Sequence, residues 1–345
     1  MSGGRVRWGV AGCGWVARDY VLPALAAAEN CEVVALLDPD LRALAEASRG
    51  LDAVLHEDPK TFFATGGVDA VYVATPNHLH APVVEAAAAA GKHVMCEKPV
   101  APTLAEASRM IGACEAAGVT YATAFDQRYH AAHRRLRGLV EEGALGTVCS
   151  ARIHYACWLP PGWAEDNWRV DPARAGGGAF VDLAPHGLDL VGYLLGEPIV
   201  EVSCLSQRRV FGYPVEDGAA LVGRTTGGVL VIQHVAYNTP DAYPRRTLEI
   251  VGTEAMVIAT NTMGQTPGGT LEIVDPKDGT RRVVEIPVEE DRSPFLAQVE
   301  AFSAFLLGGE PFPFSPEHDL HTMRLMESAM RSSGTLVPKD KETAR

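Results

Sequence analysis

The sequence has no long hydrophobic run and no excess of positive charge. Its alanine-rich stretch, residues 86–90, is too short to cross a bilayer and is flanked by Glu85 and Lys92. The formal net charge is -13 at pH 7, so the chain as a whole repels phosphate backbones and anionic membrane surfaces. We therefore expect neither a membrane nor a nucleic-acid partner.

Paired cysteines are also missing. The seven cysteines are scattered and odd in number, which argues against a disulfide framework and favours a reducing cytoplasm. His130, His133, His154 and Cys157 match no standard zinc spacing, so we expect no metal site. The chain enters a strand pattern almost at once, and we expect no signal peptide and a soluble protein.

What is present is enough apolar material for two cores. The chain has 345 residues, of which 47% are hydrophobic and 21% charged, as in globular proteins. That length favours two domains. The sequence pattern changes after residue 125, and we place one domain at residues 1–125 and the other at residues 126–345.

In the first domain, short apolar runs alternate with helical patterns. This alternation predicts an α/β fold, a doubly wound parallel sheet of the Rossmann type with helices on both faces. Thr103 and Glu106 form a capping box that starts one helix. The predicted strands are Arg5–Val10, Glu32–Leu37, Asp69–Ala74, His93–Cys96 and Val119–Phe125, and the predicted helices are Val16–Glu29, His80–Ala90 and Thr103 to about Gly118.

In the second domain the runs are longer and alternate between apolar and polar residues, with turn signals between them. This predicts an α+β domain with a mostly antiparallel, open-faced sheet. The tail after Val337 is expected to be disordered. The predicted strands are Thr147–Tyr155, Ile199–Leu205, Ala219–Arg224, Val229–Ala236, Arg246–Val251, Thr270–Val274 and Arg282–Ile286, and the predicted helices are Phe180–Leu195, Pro294–Leu307 and Pro316–Arg331.

A glycine-rich turn joins the first predicted strand to the first predicted helix. Residues 12–17 fit the dinucleotide-binding pattern G-x-G-x-x-[G/A]. Gly12 allows the tight turn, Gly14 lets the backbone approach a pyrophosphate, and Ala17 lets the helix pack on the strand. The helix N-terminus then offers free N–H groups to a phosphate.

Asp38 ends the second predicted strand, at the expected distance from the glycine turn. A carboxylate there accepts hydrogen bonds from both ribose hydroxyls and repels a 2′-phosphate. Pro39 and Asp40 follow, so the nearest cation that would hold such a phosphate is Arg42. We expect NAD rather than NADP, while a role for Asp38 as a helix cap stays open.

Further motifs follow in order along nearly the whole chain. They are residues 74–80 (ATPNHLH), residues 91–99 with Glu-Lys-Pro, residues 125–130 (FDQRYH), Trp168-Arg169, the glycine run 176–178, and Asp182-x-x-x-His186-x-x-Asp189. In this order they resemble the glucose-fructose oxidoreductase, inositol dehydrogenase and rhizopine catabolism (Gfo/Idh/MocA) family. The resemblance implies a nicotinamide-dependent oxidoreductase with a cis Lys98–Pro99 peptide.

The residues agree with that chemistry. Lys98 ends an apolar strand, where open α/β sheets bind ligands, and a lysine there can serve as a general acid or base. Asp182, His186 and Asp189 share one face of a helix. The catalytic residues implied are Lys98, His186 and Asp182. The expected cofactor contacts are Gly12, Cys13, Gly14, Trp15, Val16, Asp38, Thr75, Pro76, Asn77, His80, Glu97, Lys98, Gln127, Trp168 and Arg169, and the expected substrate contacts are Lys98, Tyr155, Arg169, Asp182 and His186.

Several points stay open from sequence. The two aspartates are either substrate ligands or partners of a buried His186, and Pro185 inside the helix bears on the aim of that histidine. The glycine run 176–178 is expected to admit a ligand close to the backbone. The tryptophans at positions 158, 163 and 168 either line the pocket or belong to the core.

The function expected is hydride transfer between NAD and a carbinol or ketone carbon of a sugar, cyclitol or sugar derivative. One alternative is an enzyme with tightly held NAD that oxidises a sugar transiently so that a glycosidic bond is eliminated. Another is a ligand-sensing regulator without catalysis. Because an alternating sheet needs cover on its apolar side, we also expect a homodimer or homotetramer through the second sheet.

Overall fold

The computed structural model describes residues 4–288, 290–310, 312 and 315–333. The first half of the chain forms a six-stranded sheet in the order β3-β2-β1-β4-β5-β6, in which all strands are parallel. Its strands are β1 (Val6–Ala11), β2 (Cys31–Leu37), β3 (Val54–His56), β4 (Ala70–Val73), β5 (His93–Cys96) and β6 (Tyr121–Thr123). Its connecting helices are α1 (Leu22–Ala27, preceded by a π-helical turn at Ala17–Val21), α2 (Leu41–Ala47), α3 (Pro59–Phe63), α4 (His80–Ala89) and α5 (Leu104–Ala116).

This strand order is that of a doubly wound Rossmann sheet. The order reverses between β1 and β4, and the carboxyl ends of these two strands form the crevice in which such sheets bind ligands. The central strands are apolar on both faces because helices cover both; every residue of β4 is buried. The predicted parallel sheet is therefore confirmed.

The second sheet has eight strands in the order β14-β13-β12-β11-β7-β10-β9-β8. Only the β7–β10 pair is parallel, so the prediction of a mostly antiparallel sheet is confirmed. Its strands are β7 (Val148–Ala156), β8 (Ile199–Gln207), β9 (Gly218–Thr225), β10 (Leu230–Ala236), β11 (Arg246–Gly252), β12 (Met256–Thr260), β13 (Thr270–Val274) and β14 (Arg281–Val283). The helices of this half are α6 (Ala131–Glu141), α7 (Pro161–Ala164), α8 (Pro172–Ala175), α9 (Ala179–Leu195), α10 (Pro294–Leu306) and α11 (Pro316–Ser332).

Helix α9 packs on the inner face of the second sheet and is buried on nearly all sides. Helix α10 returns to the first sheet, where Phe302 packs on Trp8 and Ser303 accepts a hydrogen bond from the Trp8 indole at 3.1 Å. The division after residue 125 stays a prediction. The structure shows in addition that α10, which the prediction places in the second domain, packs in the core of the first sheet.

Some elements were not predicted. Strand β3 is three residues long, so its two apolar residues, Val54 and Leu55, are too few to predict a strand, and both are exposed. Helix α6 did carry the apolar pattern of an amphipathic helix, since Leu136 and Leu139 are buried opposite a row of arginines. The last predicted strand is shorter than expected and ends at Val283. The tail after Val337 lies outside the described residues. Within the described part, helices with the length and hydropathy needed to cross a bilayer do not occur.

Candidate active site

The glycine turn lies at the carboxyl end of β1. Gly12 has a φ of +93°, and a Cβ there would lie 2.6 Å from the carbonyl oxygen of Ala74. Gly12 is therefore required by the close approach of the segment that follows β4, as well as by the turn. A Cβ on Gly14 would meet no atom within 4 Å. The space beside Gly14 is open, as the approach of a pyrophosphate to this backbone requires.

Asp38 closes the glycine turn from the end of β2. Its carboxylate accepts hydrogen bonds from the backbone N–H of Cys13 at 2.8 Å and of Asp40 at 2.9 Å. The helix cap is the next aspartate, since Asp40 caps α2 by accepting from the backbone N–H of Arg42. Each carboxylate oxygen of Asp38 keeps further acceptor capacity, so the residue retains the means to bind ribose hydroxyls.

The segment after β4 contributes one side chain that is available to a ligand and two side chains that hold the surrounding loops in place. The hydroxyl of Thr75 is buried and has no hydrogen-bond partner among the residues that the structure describes. Asn77 instead donates to the carbonyl of Ala175 at 2.8 Å, and both ring nitrogens of His80 face carbonyl oxygens, those of Thr75 and Pro99 at 3.0 Å. His80 and Asn77 therefore fix the loops around the cleft, and Thr75 remains for a ligand. Pro76 precedes the short 3-10 turn that begins at Asn77.

An aromatic sandwich joins the two halves of the chain above the glycine turn. The guanidinium of Arg169 lies 5.6 Å from the ring centroid of Trp15 and 4.5 Å from that of Trp168. Val16, next to Trp15, packs at the edge of the apolar core beneath. The predicted pair Trp168-Arg169 is thus brought to the dinucleotide turn by the second half of the chain.

Lys98 and Asp182 form the centre of the site. The Lys98–Pro99 peptide is cis. The ammonium of Lys98 donates to the carboxylate of Asp182 at 2.8 Å and to its backbone carbonyl at 2.9 Å. Tyr237 donates to the other carboxylate oxygen at 2.9 Å. Burial opposes ionisation of Asp182, but the charges of Lys98 and then Arg169 outweigh it, and the pKa of this carboxyl is held well below its usual range.

The backbone before Asp182 is held by a residue that sequence reasoning missed. Glu216 accepts hydrogen bonds from the N–H groups of Gly178 at 2.7 Å and Phe180 at 3.0 Å, at the start of α9. A Cβ on Gly178 would lie 2.2 Å from the carbonyl oxygen of Glu216. The glycine run therefore serves close packing on Glu216. The expectation that it admits a ligand is not supported at Gly178, because the protein itself fills that space.

His186 lies one helical turn after Asp182 and is almost fully buried. Neither of its ring nitrogens has a hydrogen-bond partner in the part of the chain that the structure describes. Burial and then the charge of Lys98 lower the pKa of His186 to about 3, so the imidazole is neutral near pH 7. Tyr155 packs against this ring edge-on, with 5.4 Å between centroids. A neutral imidazole that has no partner within the described residues and lies near a fixed ammonium is able to accept a hydrogen bond from a hydroxyl group.

A second acidic residue, Asp126, faces the same histidine and was not singled out from sequence. Its carboxylate oxygen lies 3.7 Å from Nδ1 of His186, and its other oxygen accepts from Gln127 at 2.9 Å. Burial and then the charge of Glu97 raise the pKa of Asp126 to about 7. Glu97 in turn accepts a hydrogen bond from Tyr72 at 2.8 Å. The site therefore contains a carboxyl group that changes charge near neutral pH.

Two family profiles match this chain. Residues 6–125 match an oxidoreductase family with an NAD-binding Rossmann fold, and residues 133–258 match the GFO/IDH/MocA C-terminal domain. The chain belongs to the Gfo/Idh/MocA oxidoreductase family. The protein is accordingly an oxidoreductase that uses a nicotinamide dinucleotide, and this sequence-based prediction is confirmed.

Relatives of this oxidoreductase cover most of its length. It is 35% identical over 269 residues to a 1,5-anhydro-D-fructose reductase from Ensifer adhaerens, spanning 77% of this chain and 79% of that one. It is 29% identical to a myo-inositol 2-dehydrogenase from Thermotoga maritima, over 80% and 81% of the two chains. The crystal structure of aldose-aldose oxidoreductase from Caulobacter crescentus matches with a TM-score of 0.85 and 27% identity, over 95% and 97% of the chains.

The third member of the helical motif does not face this oxidoreductase's site. Asp189 is fully buried, accepts from Arg128 at 2.8 Å and lies 2.9 Å from the ring of His318. The interpretation of Asp182 and Asp189 as hydrogen-bond partners of His186 is wrong, because each is bound to a different cation. Pro185 lies inside an unbroken α9, so it does not turn His186 away from the site.

The aromatic residues before α9 divide between pocket and surface. Trp163 packs edge-on against Tyr237, which holds Asp182, with 6.0 Å between ring centroids. Trp158 packs against Phe211 and is 37% exposed. Trp163 therefore borders the site, whereas Trp158 lies at its outer edge. Within the described part of the chain, no group of three or more His, Cys, Asp or Glu side chains is arranged to hold a metal ion.

Proposed function

We propose that this oxidoreductase transfers a hydride between NAD and a carbinol or ketone carbon of a small polyhydroxylated ring, a sugar or cyclitol. The observation that carries the proposal is the Lys98–Asp182 ion pair beside the unpartnered, neutral His186. The names of the relatives, which include a reductase of an anhydrosugar and a dehydrogenase of a cyclitol, support the substrate class.

Each residue has a distinct role in this proposal. When bound, the nicotinamide ring supplies the acceptor or donor of the hydride. Asp182 fixes the ammonium of Lys98, which binds the reacting oxygen and exchanges its proton. His186 accepts a hydrogen bond from a substrate hydroxyl and takes part in proton transfer. Tyr155 and Tyr237 shape the pocket by packing on His186 and binding Asp182.

The dinucleotide would lie along the carboxyl ends of β1, β2 and β4. The residues present fit it, because the space beside Gly14 is open and the Thr75 hydroxyl is buried without a partner. NAD is favoured over NADP because the carboxylate of Asp38 repels a 2′-phosphate. Arg42, the nearest cation along the chain, is already paired with Glu46 at 3.2 Å.

The test is to follow reduced nicotinamide by absorbance with a panel of sugars and cyclitols, with NAD or NADP in large excess over an enzyme concentration at which one equivalent of NADH is visible. With one substrate we expect continuous formation of NADH, at a higher rate than the formation of NADPH when NADP is supplied. Asp38→Ser should lower the ratio of kcat/KM for NAD to that for NADP. A burst equal to the enzyme concentration, followed by solvent deuterium exchange into the sugar, would instead favour transient oxidation with tightly held cofactor.

We also infer that the outer face of the second sheet pairs with a second copy of the chain. Leu205, Val222 and Ile232 lie on neighbouring strands of this face and are 74%, 58% and 42% exposed. Exposed apolar patches of this kind usually mark an interface. Ile232→Glu should lower the molar mass measured by light scattering, whereas Leu41→Lys, at an equally apolar exposed site on α2, should leave it unchanged.

A cytoplasmic location is part of the same proposal. All seven cysteines are free thiols, and five of them are buried, as expected for a protein kept in a reducing compartment.

A further inference from the structure

Arg246 is the first residue of β11 and borders the active site. In the antiparallel pairing of β11 with β7 it lies opposite Tyr155. Opposed side chains in such a pair point to the same face of the sheet, and Tyr155 packs on His186 with 5.4 Å between ring centroids. Arg246 therefore lies on the inner face of the second sheet, beside the ring that borders the catalytic histidine.

The guanidinium of Arg246 has no hydrogen bond or ion pair within the described residues, and its Nε is buried without a partner. Its neighbour Arg245 pairs with Asp241 at 3.0 Å, and Arg128 is bound by two buried aspartates. Removing part of a charged group from water without giving it a partner costs free energy. A ligand that supplies the missing acceptors accounts for that cost.

The charge of Arg246 is not neutralised by an ion pair within the described residues, so it is available to an anion. Burial raises the pKa of Tyr155 above its usual range, and among the influences in the opposite direction the charge of Arg246 is the largest. This charge therefore acts inside the pocket. Lys98 is already paired with Asp182, and Arg169 lies over the rings of Trp15 and Trp168 and acts on Asp182. Arg246 is the guanidinium beside Tyr155 that has no partner within the described residues, and it can therefore face a charge on the substrate.

We propose that Arg246 forms a subsite for an anionic group on the sugar substrate, a carboxylate or a phosphate monoester. A guanidinium binds either group through paired N–H donors. The reacting hydroxyl then lies at Lys98 and His186, and the anionic group lies on the far side of Tyr155. This inference rests on the proposed function and narrows its substrate class from sugars in general to acidic sugars.

The test compares three probes that differ at one carbon: D-glucuronate, D-glucose 6-phosphate and D-glucose. Their affinities for the enzyme with NADH are measured by calorimetry, which needs no turnover, and kcat/KM is measured with NAD where a probe reacts. We expect one of the two anions to bind at least about tenfold more tightly than D-glucose. Arg246→Gln should abolish that preference and leave the affinity for D-glucose nearly unchanged.

Two further variants complete the test. Arg245→Gln removes the neighbouring, already paired arginine and should keep the preference. Arg246→Lys keeps the charge but not the paired donors, so it should keep part of the preference for the anionic probe. Equal binding of all three probes by the wild type, or a preference that survives in Arg246→Gln, would overturn the subsite. Absence of turnover with every sugar would count against the proposed function alone, because the binding comparison still stands.

Discussion

Helix α9 carries two acidic residues on one side, and each is ion-paired with a cation from outside the helix. Asp182 is bound by Lys98 and Tyr237, and Asp189 by Arg128 and His318. Around Asp189 the donors of Arg128 and His318 face the carboxylate. Arg128 also forms an ion pair with a second carboxylate, that of Asp319. Around Asp182 one polar side chain, His186, is buried with both ring nitrogens unused.

This difference separates a structural cluster from a functional one. A buried polar network in which every group has a partner holds elements together, and leaving a partner out costs free energy. The Asp189 cluster joins α9, α11 and the turn after β6. The Asp182 cluster leaves hydrogen-bonding capacity for a ligand. Sequence spacing placed both aspartates on one helix face, but only the partners distinguish their roles.

The largest effect is expected from Lys98→Met. Loss of the group that binds the reacting oxygen should lower kcat/KM by roughly 10³-fold, within the range measured for general acid–base groups. Lys98→Arg keeps the ion pair with Asp182 but cannot release a proton, so it should retain stability and still lose activity. Lys277→Met, in an exposed turn, is the control. Activity of Lys98→Met within tenfold of wild type would contradict the assignment.

Arg128→Met should affect folding rather than chemistry. Removing the cation leaves Asp189 and Asp319 buried without the guanidinium that balances their charges, which should lower the free energy of unfolding by about 3–5 kcal/mol. Denaturant titration measures this change. Arg224→Met breaks an exposed pair with Glu201 and should have a much smaller effect. If both variants lost equal stability, the buried cluster would not have the structural role assigned to it.

His186→Asn should affect chemistry rather than folding. Since the ring has no hydrogen-bond partner among the described residues, its replacement should change the free energy of unfolding little. Activity should fall by about 10²-fold, because the asparagine amide still accepts a hydrogen bond but cannot take part in proton transfer. Measuring kcat and KM together with a thermal unfolding curve separates the two effects. A strongly destabilised but fully active variant would place His186 in the core rather than in the site.

The last expected effect concerns the pH dependence of stability. The pKa of Asp126 is raised from 3.8 to about 7, so the folded state keeps a proton that the unfolded chain releases, and stability from this group falls as pH rises through that window. His186, with its pKa lowered from 6.5 to about 3, acts in the opposite direction below pH 6.5.

Comparison with Asp126→Asn reports the first contribution, because the variant lacks the titrating carboxyl and keeps His186. The free energy of unfolding of the wild type, relative to the variant, should decrease from about pH 4 to about pH 7 and stay level above. A relative stability that does not change with pH would show that Asp126 ionises normally in the folded protein.

Much of this protein was predictable from local patterns. The parallel and antiparallel sheets follow from the continuous and alternating apolar runs, and the family follows from the order of its motifs. Lys98, Asp182 and His186 were named from sequence, and the structure brings them together. Asp126, Glu216, Tyr237 and Arg246 were missed as site residues, because each acts through neighbours that are distant in the chain.

The sequence by itself determined the two sheet types, the nicotinamide-dependent chemistry and the face of α9 that carries the acidic residues, since these depend on spacing along the chain. Only the tertiary structure decided which aspartate meets Lys98 and which meets Arg128, that Gly178 packs on Glu216, and that Arg246 stays without a partner. The reason is physical: partnership and burial depend on which elements meet in space, and spacing along one element does not contain that information.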